Sequence, residues 1–470
     1  MLRAHRADDV RAAEQALLGT LDDDGELMAR AARGLAEAMH HVPAGEVLLV
    51  LVGSGSNGGD ALFAAAHLLD RGVRVDLLLL EPEKVHAAGL RAALTAGAQV
   101  VDRAGGHRFV LDAIVGIGGR PGLREQAVEV VRQLQGADVT SVDVPSGVGV
   151  DEATTGEPHV RARRTVTFGT HKVAGLVDPA AAVGGGTPVL VDIGLGPYLG
   201  APAVEALEET DGHVLARHLF TDAVSHKYTR GVVGVAAGSD EYAGAAHLCV
   251  AGAQAGPAGM VRFVGEESLR HRVVDRAPEV VASSYDEAGR VQAWVVGPGG
   301  GSQAGERLAW ALEQGVPLVV DADALQHLPD RFEVPALLTP HAGELARMLG
   351  VERDDVEAEP LAHATRAAEQ SGATVLLKGE RTLVVRTGAP ARVNLVSTPW
   401  LGTAGSGDVL AGFAGALVAA GLDPLDAGSV AALLHGRAGQ LANPGGPFTA
   451  SDVARRLPSV VAAFLRGDGA

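Results

Sequence analysis

The segment Gly402-Thr403-Ala404-Gly405-Ser406-Gly407-Asp408 leads straight into the apolar run Val409–Ala420. Glycines at a helix start leave backbone N–H groups free for an anion and add the positive end of the helix dipole, so a nucleotide phosphate is the natural occupant. A carboxylate there repels phosphate, which leaves Asp408 out of place in a turn that only binds. It makes sense as a base acting on a hydroxyl beside the phosphate. The plainer alternative is a helix cap. Four more segments favour the chemical reading: Gly297-Pro298-Gly299-Gly300-Gly301, Val320-Asp321-Ala322-Asp323, Thr339-Pro340-His341-Ala342-Gly343-Glu344 and Leu377-Lys378-Gly379-Glu380-Arg381-Thr382. Each follows an apparent strand, where open α/β sheets bind ligands. His341 alone would more often be structural; together the segments describe a site.

The N-terminal half carries a second set. Gly55-Ser56-Asn57-Gly58-Gly59-Asp60 follows an apolar strand, without the G-x-G-x-x-G spacing of a dinucleotide fingerprint. Leu111-Asp112-Ala113 and Val142-Asp143-Val144-Pro145-Ser146-Gly147 end two further strands, and Gly116-Ile117-Gly118-Gly119-Arg120-Pro121-Gly122 is a loop after the first of them. Asn57, Asp112, Asp143 and Ser146 would meet in one crevice. All four offer hard oxygen donors, which suits an alkali or alkaline-earth cation and disfavours zinc. The competing reading makes Asp112 and Asp143 caps or surface carboxylates.

Elements that could position these residues are readable along the chain. A helical pattern from about Val10 to His40, broken near Asp22–Gly25, precedes a strand over Val47–Val52, a glycine-rich turn through Asp60, a helix over Ala61–Asp70 and a strand over Val73–Leu80. Further strands end at Ile114 and Asp143. Continuous apolar strands in βαβ order indicate parallel sheets covered on both faces. Asp192 to about Val214 mixes Gly, Pro and acidic residues and is expected to link two domains. A second α/β run starts at Val232–Ala237, with strands at Gly259–Val264, Ala293–Val296, Leu318–Asp321, Ala336–Leu338 and Val375–Lys378. It ends in helices from Ser406, near Leu425–Asn443 and near Ser451–Leu465. The expected fold class is α/β, with two doubly wound, three-layer αβα domains in series over residues 1–208 and 213–470.

Composition narrows the function. A length of 470 residues suits two domains of roughly 200–250 residues. The 63 glycines are about twice the usual share, as many tight strand-to-helix turns would require. A net charge of −18 and 3% aromatics argue against nucleic-acid binding. No long apolar stretch suggests a membrane span, and Met1–Asp9 lacks the apolar core of a signal peptide. The single Cys249 fits a reducing compartment, so a cytoplasmic location is expected.

From the Gly238/Tyr242-Ala243-Gly244-Ala245 turn to Gly405-Ser406-Gly407-Asp408, about Leu215 to Leu465, the chain resembles the ribokinase-like domain of ADP-dependent NAD(P)H-hydrate dehydratases. That family removes water from hydrated NADH and NADPH at the expense of ADP. The resemblance implies that Ala245, Gly299 and the run Pro340, His341, Ala342, Gly343, Glu344, Leu345, Ala346 contact the hydrate. It implies that Lys378, Gly379, Glu380, Arg381, Thr382 and Thr398, Pro399, Trp400, Leu401, Gly402, Thr403, Ala404, Gly405, Ser406, Gly407 hold ADP, with Mg²⁺ accompanying it, and that Asp408 sits at the reacting hydroxyl. Gly300 stands where the family usually has Leu.

About Val10 to Leu195 is similar to the Rossmann-like NAD(P)H-hydrate epimerase domain, on Val10-Arg11-Ala12-Ala13-Glu14, Leu27-Met28, the three loops above, Thr165-Val166-Thr167-Phe168 with Lys172, and Asp192-Ile193-Gly194-Leu195. By that resemblance Ser56, Asn57, Gly58, Gly59, Asp60, the loop Gly116, Ile117, Gly118, Gly119, Arg120, Pro121, Gly122, and Asp143 bind the hydrate. Asn57, Asp112 and Ser146 bind potassium, and Asp143 is the best acid–base candidate. Ser56 replaces one of the family's paired asparagines and Ala61 its usual glycine. The expectation is a bifunctional repair enzyme with small-molecule substrates and a homo-oligomeric assembly, which interconverts R and S hydrates and dehydrates the S form to leave AMP and phosphate. Its rivals are a small-molecule kinase of the same fold, and an N-terminal half that only binds.

Overall fold

A computed structural model describes residues 1–23, 25–216, 219 and 230–467. Asp24, in the expected helix break, lies outside the described residues. So do 217, 218, 220–229 and 468–470, which fall in the expected second domain. The described chain divides into a unit of Leu2–Glu205 and a unit of Ala206–Ala470 with Met1.

The N-terminal unit is built on a parallel sheet of seven strands. In spatial order they are Gln99–Val101, Arg74–Leu79, Val47–Val52, Phe109–Ala113, Asp138–Val142, Arg164–Phe168 and Val189–Val191. The strand Val47–Val52 shows why: it is wholly apolar, and its residues serve two cores. Leu48, Val50 and Val52 pack into one cluster, Leu49 and Leu51 into another. A strand buried on both faces needs a layer of structure on each, which is the αβα arrangement. From Val47–Val52 the chain moves outward in one direction, then returns to add Phe109–Ala113 on the other side. The crevice beyond the carboxyl ends of these two strands is where such a sheet holds ligands.

One boundary differs from expectation. The helix after Val47–Val52 begins at Ser56, so Asn57, Gly58, Gly59 and Asp60 form its first turns and not a loop. Glycine composition suggests a turn, but here it serves close packing: a Cβ on Gly58 would collide with the Gly53 carbonyl. The helical stretch over Val10–His40, expected with a break near Asp22–Gly25, is the pair of helices Ala7–Leu18 and Glu26–Ala38. The stretch expected as a linker carries the strand Val204–Ala206 and the start of helix Glu209–Ala216.

In the C-terminal unit nine strands follow the order Val281–Ser283, Met260–Val264, Val232–Ala236, Ala293–Val296, Leu318–Val320, Ala336–Leu338, Thr374–Leu377, Thr382–Val385 and Ala391–Asn394. The first seven are parallel, and the last two fold back as an antiparallel extension. Sequence reading did not separate these two, because each is only four residues long and Ala391–Asn394 mixes polar with apolar residues. Helix Ser406–Ala419 is buried along almost its whole length, with Val409, Phe413 and Leu417 in the main core. At about 1.5–3 kcal/mol for each large apolar side chain enclosed, this burial anchors the helix whose first turn carries Ser406, Gly407 and Asp408.

Candidate active sites

At the N-terminal crevice, Ser56, Asn57, Gly116, Ile117, Gly118, Arg120, Pro121 and Gly122 line a cavity of about 1070 Å³. Arg11, Glu14, Glu81, Arg124 and Gln126 line it too; Arg11 and Glu14 belong to a segment that carries the resemblance but had no role assigned, and nothing marked the other three. Arg11 and Glu14 come from helix Ala7–Leu18, which only tertiary packing brings to the strand ends. Gly58, Gly59, Asp60, Gly119 and Asp143 are not on the wall. Asp60 and Asp143 are buried, and Glu14, on the wall, feels the charges of Asp143 and Lys172.

Three strand ends are tied together by polar side chains. The Asn57 amide donates to the Val142 carbonyl at 2.8 Å. Asp112 is fully buried and accepts from the Ser146 hydroxyl at 2.7 Å, the Ser146 N–H at 2.9 Å, the Ser141 hydroxyl at 2.8 Å and the Ile114 N–H at 3.3 Å. Burial pushes its pKa up, against those hydrogen bonds. No ion pair involves Asp112 among the described residues. A buried carboxylate with two serine hydroxyls in contact and no cationic side chain is a donor set that a monovalent cation fits.

Asp143 is held differently. It is a non-glycine residue at φ 70°, a conformation that side chains rarely adopt. Its carboxylate accepts from the Lys172 ammonium and from the Thr167 hydroxyl at 2.8 Å, and Lys172 also donates to the Phe168 carbonyl at 2.9 Å. Beside this pair Asp60 is pushed well above the ordinary carboxylate range, first by burial and then by the charges of Asp143 and Glu14. Glu14 is raised by burial as well. The crevice thus has one compensated carboxylate, Asp143, and three carboxyls, Asp60, Glu14 and Asp112, that hold protons more tightly than usual.

In the C-terminal unit a cavity of about 460 Å³ is lined by Lys378, Gly379, Glu380, Thr382, Thr398, Pro399, Leu401, Gly402, Thr403, Ser406 and Gly407, all expected at the nucleotide. Arg381, Trp400, Ala404 and Gly405 are not on its wall. His341, expected at the hydrate, is. Sequence reading missed Asn394, Val396 and Ser397, which follow from the antiparallel extension, and Ala432, His435 and Gly436 on helix Pro424–Ala442. His435 is buried, and its Nε2 lies 3.1 Å from the Ser406 carbonyl. That contact makes Nε2 the protonated nitrogen, and burial lowers the pKa to about 4, so the ring is neutral.

Gly405 caps helix Ser406–Ala419 at φ 85°, a left-handed conformation that glycine takes without strain. The Ser406 N–H closes the turn by donating to the Thr403 carbonyl at 3.3 Å. Lys378 Nζ would stand 3.2 Å from a Cβ at Gly407 and Asp321 Oδ2 3.9 Å from it. Lys378 also lies 2.8 Å from Asp321 and 3.6 Å from Glu344. Asp408, on the same helical turn, is raised to about 7, mainly by burial and next by the Asp321 charge, with Lys378 opposing. Helix Ala342–Leu349 starts with a capping box between His341 and Glu344, which fixes the run Pro340–Ala346 at the strand end. A Cβ on Gly299 would stand 2.6 Å from that of Ala245, so these two expected contacts are neighbours. Asp323 accepts from the Gly301 N–H at 2.8 Å and adds to the field on Asp408, linking that loop to the turn.

A parallel sheet with an antiparallel extension, and a glycine turn that presents a helix start and a raised aspartate beside a nucleotide-sized cavity, define a ribokinase-like enzyme domain. It shares its chain with a Rossmann-like domain. The profile described as NAD(P)H-hydrate dehydratase matches residues 233–457, and that of the YjeF-related protein N-terminus matches residues 24–174. The bifunctional NAD(P)H-hydrate repair enzyme Nnr of Mycobacterium tuberculosis is 43% identical over 441 residues, covering 90% of each chain. That of Mycobacterium leprae is 41% identical, covering 97% of this chain and 98% of its own. Among solved structures, the ADP/ATP-dependent NAD(P)H-hydrate dehydratase of Bacillus subtilis, co-crystallised with ATP/Mg²⁺, is 26% identical. It has a TM-score of 0.51 and covers 55% of this chain and 97% of its own. The chain belongs to the family of bifunctional NAD(P)H-hydrate repair enzymes.

Proposed function

We propose that the two sites divide the repair of hydrated NADH and NADPH as follows, with Asp408 on its glycine turn as the observation that carries the reading. The C-terminal domain dehydrates the S hydrate at the expense of ADP. Lys378–Thr382 and Thr398–Gly407 receive the nucleotide, which arrives with Mg²⁺, and Ala245, Gly299 and Pro340–Ala346 hold the hydrate. Asp408 takes the proton of the hydroxyl as its oxygen attacks the β-phosphorus of ADP, and AMP departs. The N–H groups of Gly405–Gly407 and the Lys378 ammonium stabilise charge on the transferring group. The substrate oxygen now leaves as phosphate, a far better leaving group than hydroxide, and a proton lost from the neighbouring ring carbon restores the double bond. A base that titrates near 7 suits work at neutral pH.

The N-terminal domain interconverts the R and S hydrates in the 1070 Å³ cavity. Ser56, Asn57, Gly116–Gly118 and Arg120–Gly122 line its substrate site, Gly58, Gly59, Asp60 and Gly119 shape it from behind the wall, and Asp143, its charge held by Lys172, moves the proton of a hydrate that reaches past that wall. Asn57, Asp112 and Ser146 would hold a potassium ion, which would supply the positive charge that the buried Asp112 lacks. The protein works in the cytoplasm, and its assembly is homo-oligomeric. The small-molecule kinase reading is disfavoured because it gives the fused N-terminal cavity no task.

The test is incubation of the full chain with mixed R and S hydrated NADH plus ADP. Reduced-nicotinamide absorbance should recover almost completely, with AMP and free phosphate formed in step. Phosphate retained on an organic product would identify a kinase and overturn the reading.

A further inference from the structure

Asp321 has no part in the assignments above, yet it stands at their centre. It follows the strand Leu318–Val320 and is 1% exposed. Its Oδ1 accepts from the Lys378 ammonium and from the Thr339 hydroxyl, both at 2.8 Å. Its Oδ2 points toward the glycine turn, 3.9 Å from a Cβ at Gly407. A carboxylate needed only to bury Lys378 would be redundant, because Glu344 already lies 3.6 Å from that ammonium. Two negative side chains thus fix one cation beside a turn that receives phosphate, and a third carboxylate, Asp408, shares the space.

We propose that Asp321 is a positioning residue of the dehydration: it holds the Lys378 ammonium against the Gly405–Gly407 turn and is the fixed negative neighbour of Asp408. This rests on the reading of Asp408 as the base. The charges bearing on Asp408 are Asp321 and Asp323 after one strand, Lys378 after another and Glu344 on helix Ala342–Leu349; the other titratable groups around them are His341 at that helix's cap, Cys249 on helix Ala243–Ala255 and neutral His435 on helix Pro424–Ala442. Among the side-chain charges that raise Asp408, that of Asp321 is the largest contributor. Its loss makes Asp408 a stronger acid, and so a base that is unprotonated at lower pH but weaker once unprotonated.

The experiment is the pH profile of kcat for ADP-dependent dehydration of S hydrate by the full chain, with the melting curve of the same preparation as the control for folding. Asp321→Asn should move the acid limb to lower pH by on the order of one unit and lower the plateau. Thr339→Val removes a hydrogen bond to the same carboxylate but keeps the charge, so its limb should stay in place. Should Asp321→Asn be insoluble, Asp321→Glu keeps the charge and displaces the ammonium; it should lower kcat with the limb unmoved, and an unchanged kcat overturns the proposal. A limb that stays put in Asp321→Asn, or moves equally in Thr339→Val, also overturns it. If Asp408→Asn itself keeps full activity, the fault lies in the reading of the base and not in Asp321 alone.

Discussion

The Lys172 ammonium donates to the Asp143 carboxylate where both side chains are almost wholly enclosed, at 2% and 5% exposure. Removing one partner of a buried pair leaves an uncompensated charge, which typically costs ~3–5 kcal/mol. Lys172→Met should therefore lower the thermal transition of the N-terminal domain by many degrees and abolish epimerisation. A melting curve within a degree of wild type would show that the pair carries no such load.

Asp112 makes a prediction about ions. Its buried carboxylate has hydrogen bonds but no cationic side chain among the described residues. Exchanging potassium for tetramethylammonium, too large for the site, should slow epimerisation and lower the melting temperature, and potassium should restore both. Asp112→Asn should be slow in either salt while dehydrating pure S hydrate normally. Identical wild-type rates in the two salts would exclude an ion at this position.

Asp408 predicts both a mutant and a pH effect. A base must be unprotonated, and its pKa is raised to about 7. Dehydration should thus fall below neutral pH and level off above it. Asp408→Asn should lower the rate by about 10²–10⁴-fold, leave ADP binding unchanged or slightly tighter because a charge near phosphate is gone, and leave epimerisation intact. A flat profile, or near wild-type dehydration by the variant, would reduce Asp408 to a helix cap.

Gly436 tests the nucleotide cavity from the side that sequence reading missed. A Cβ there would collide with the Val396 carbonyl, and both residues line the cavity. Overpacking of this kind costs ~1–3 kcal/mol. If the wall yields, Gly436→Ala should weaken ADP binding by on the order of tenfold, read by calorimetry, without changing epimerisation. Unchanged ADP affinity would place the nucleotide elsewhere.

The two halves should also work apart. Fragments of residues 1–205 and 206–470 should each be soluble, the first epimerising and the second dehydrating. If neither folds while the full chain does, the boundary or the independence is wrong.

Much of this protein is written locally. Apolar runs such as Val47–Val52 announce buried parallel strands, because a strand covered on both faces has no solvent side to make polar. The turn before Asp408 announces anion binding, because free N–H groups and glycine conformations are properties of a few adjacent residues. Asn57, Asp112 and Ser146 could be singled out for the same reason, as oxygen donors at strand ends. What chain order could not supply is which distant residues meet those motifs. Glu14 enters the first cavity from a helix near the N-terminus, and His435 and Asn394 enter the second from a late helix and an antiparallel strand. Lys172 reaches Asp143, and Lys378 reaches Asp321, across 29 and 57 residues. Burial, which sets the neutral His435 and the raised Asp408, is likewise a property of the packed molecule, since desolvation depends on everything that surrounds a group and not on its neighbours in the chain.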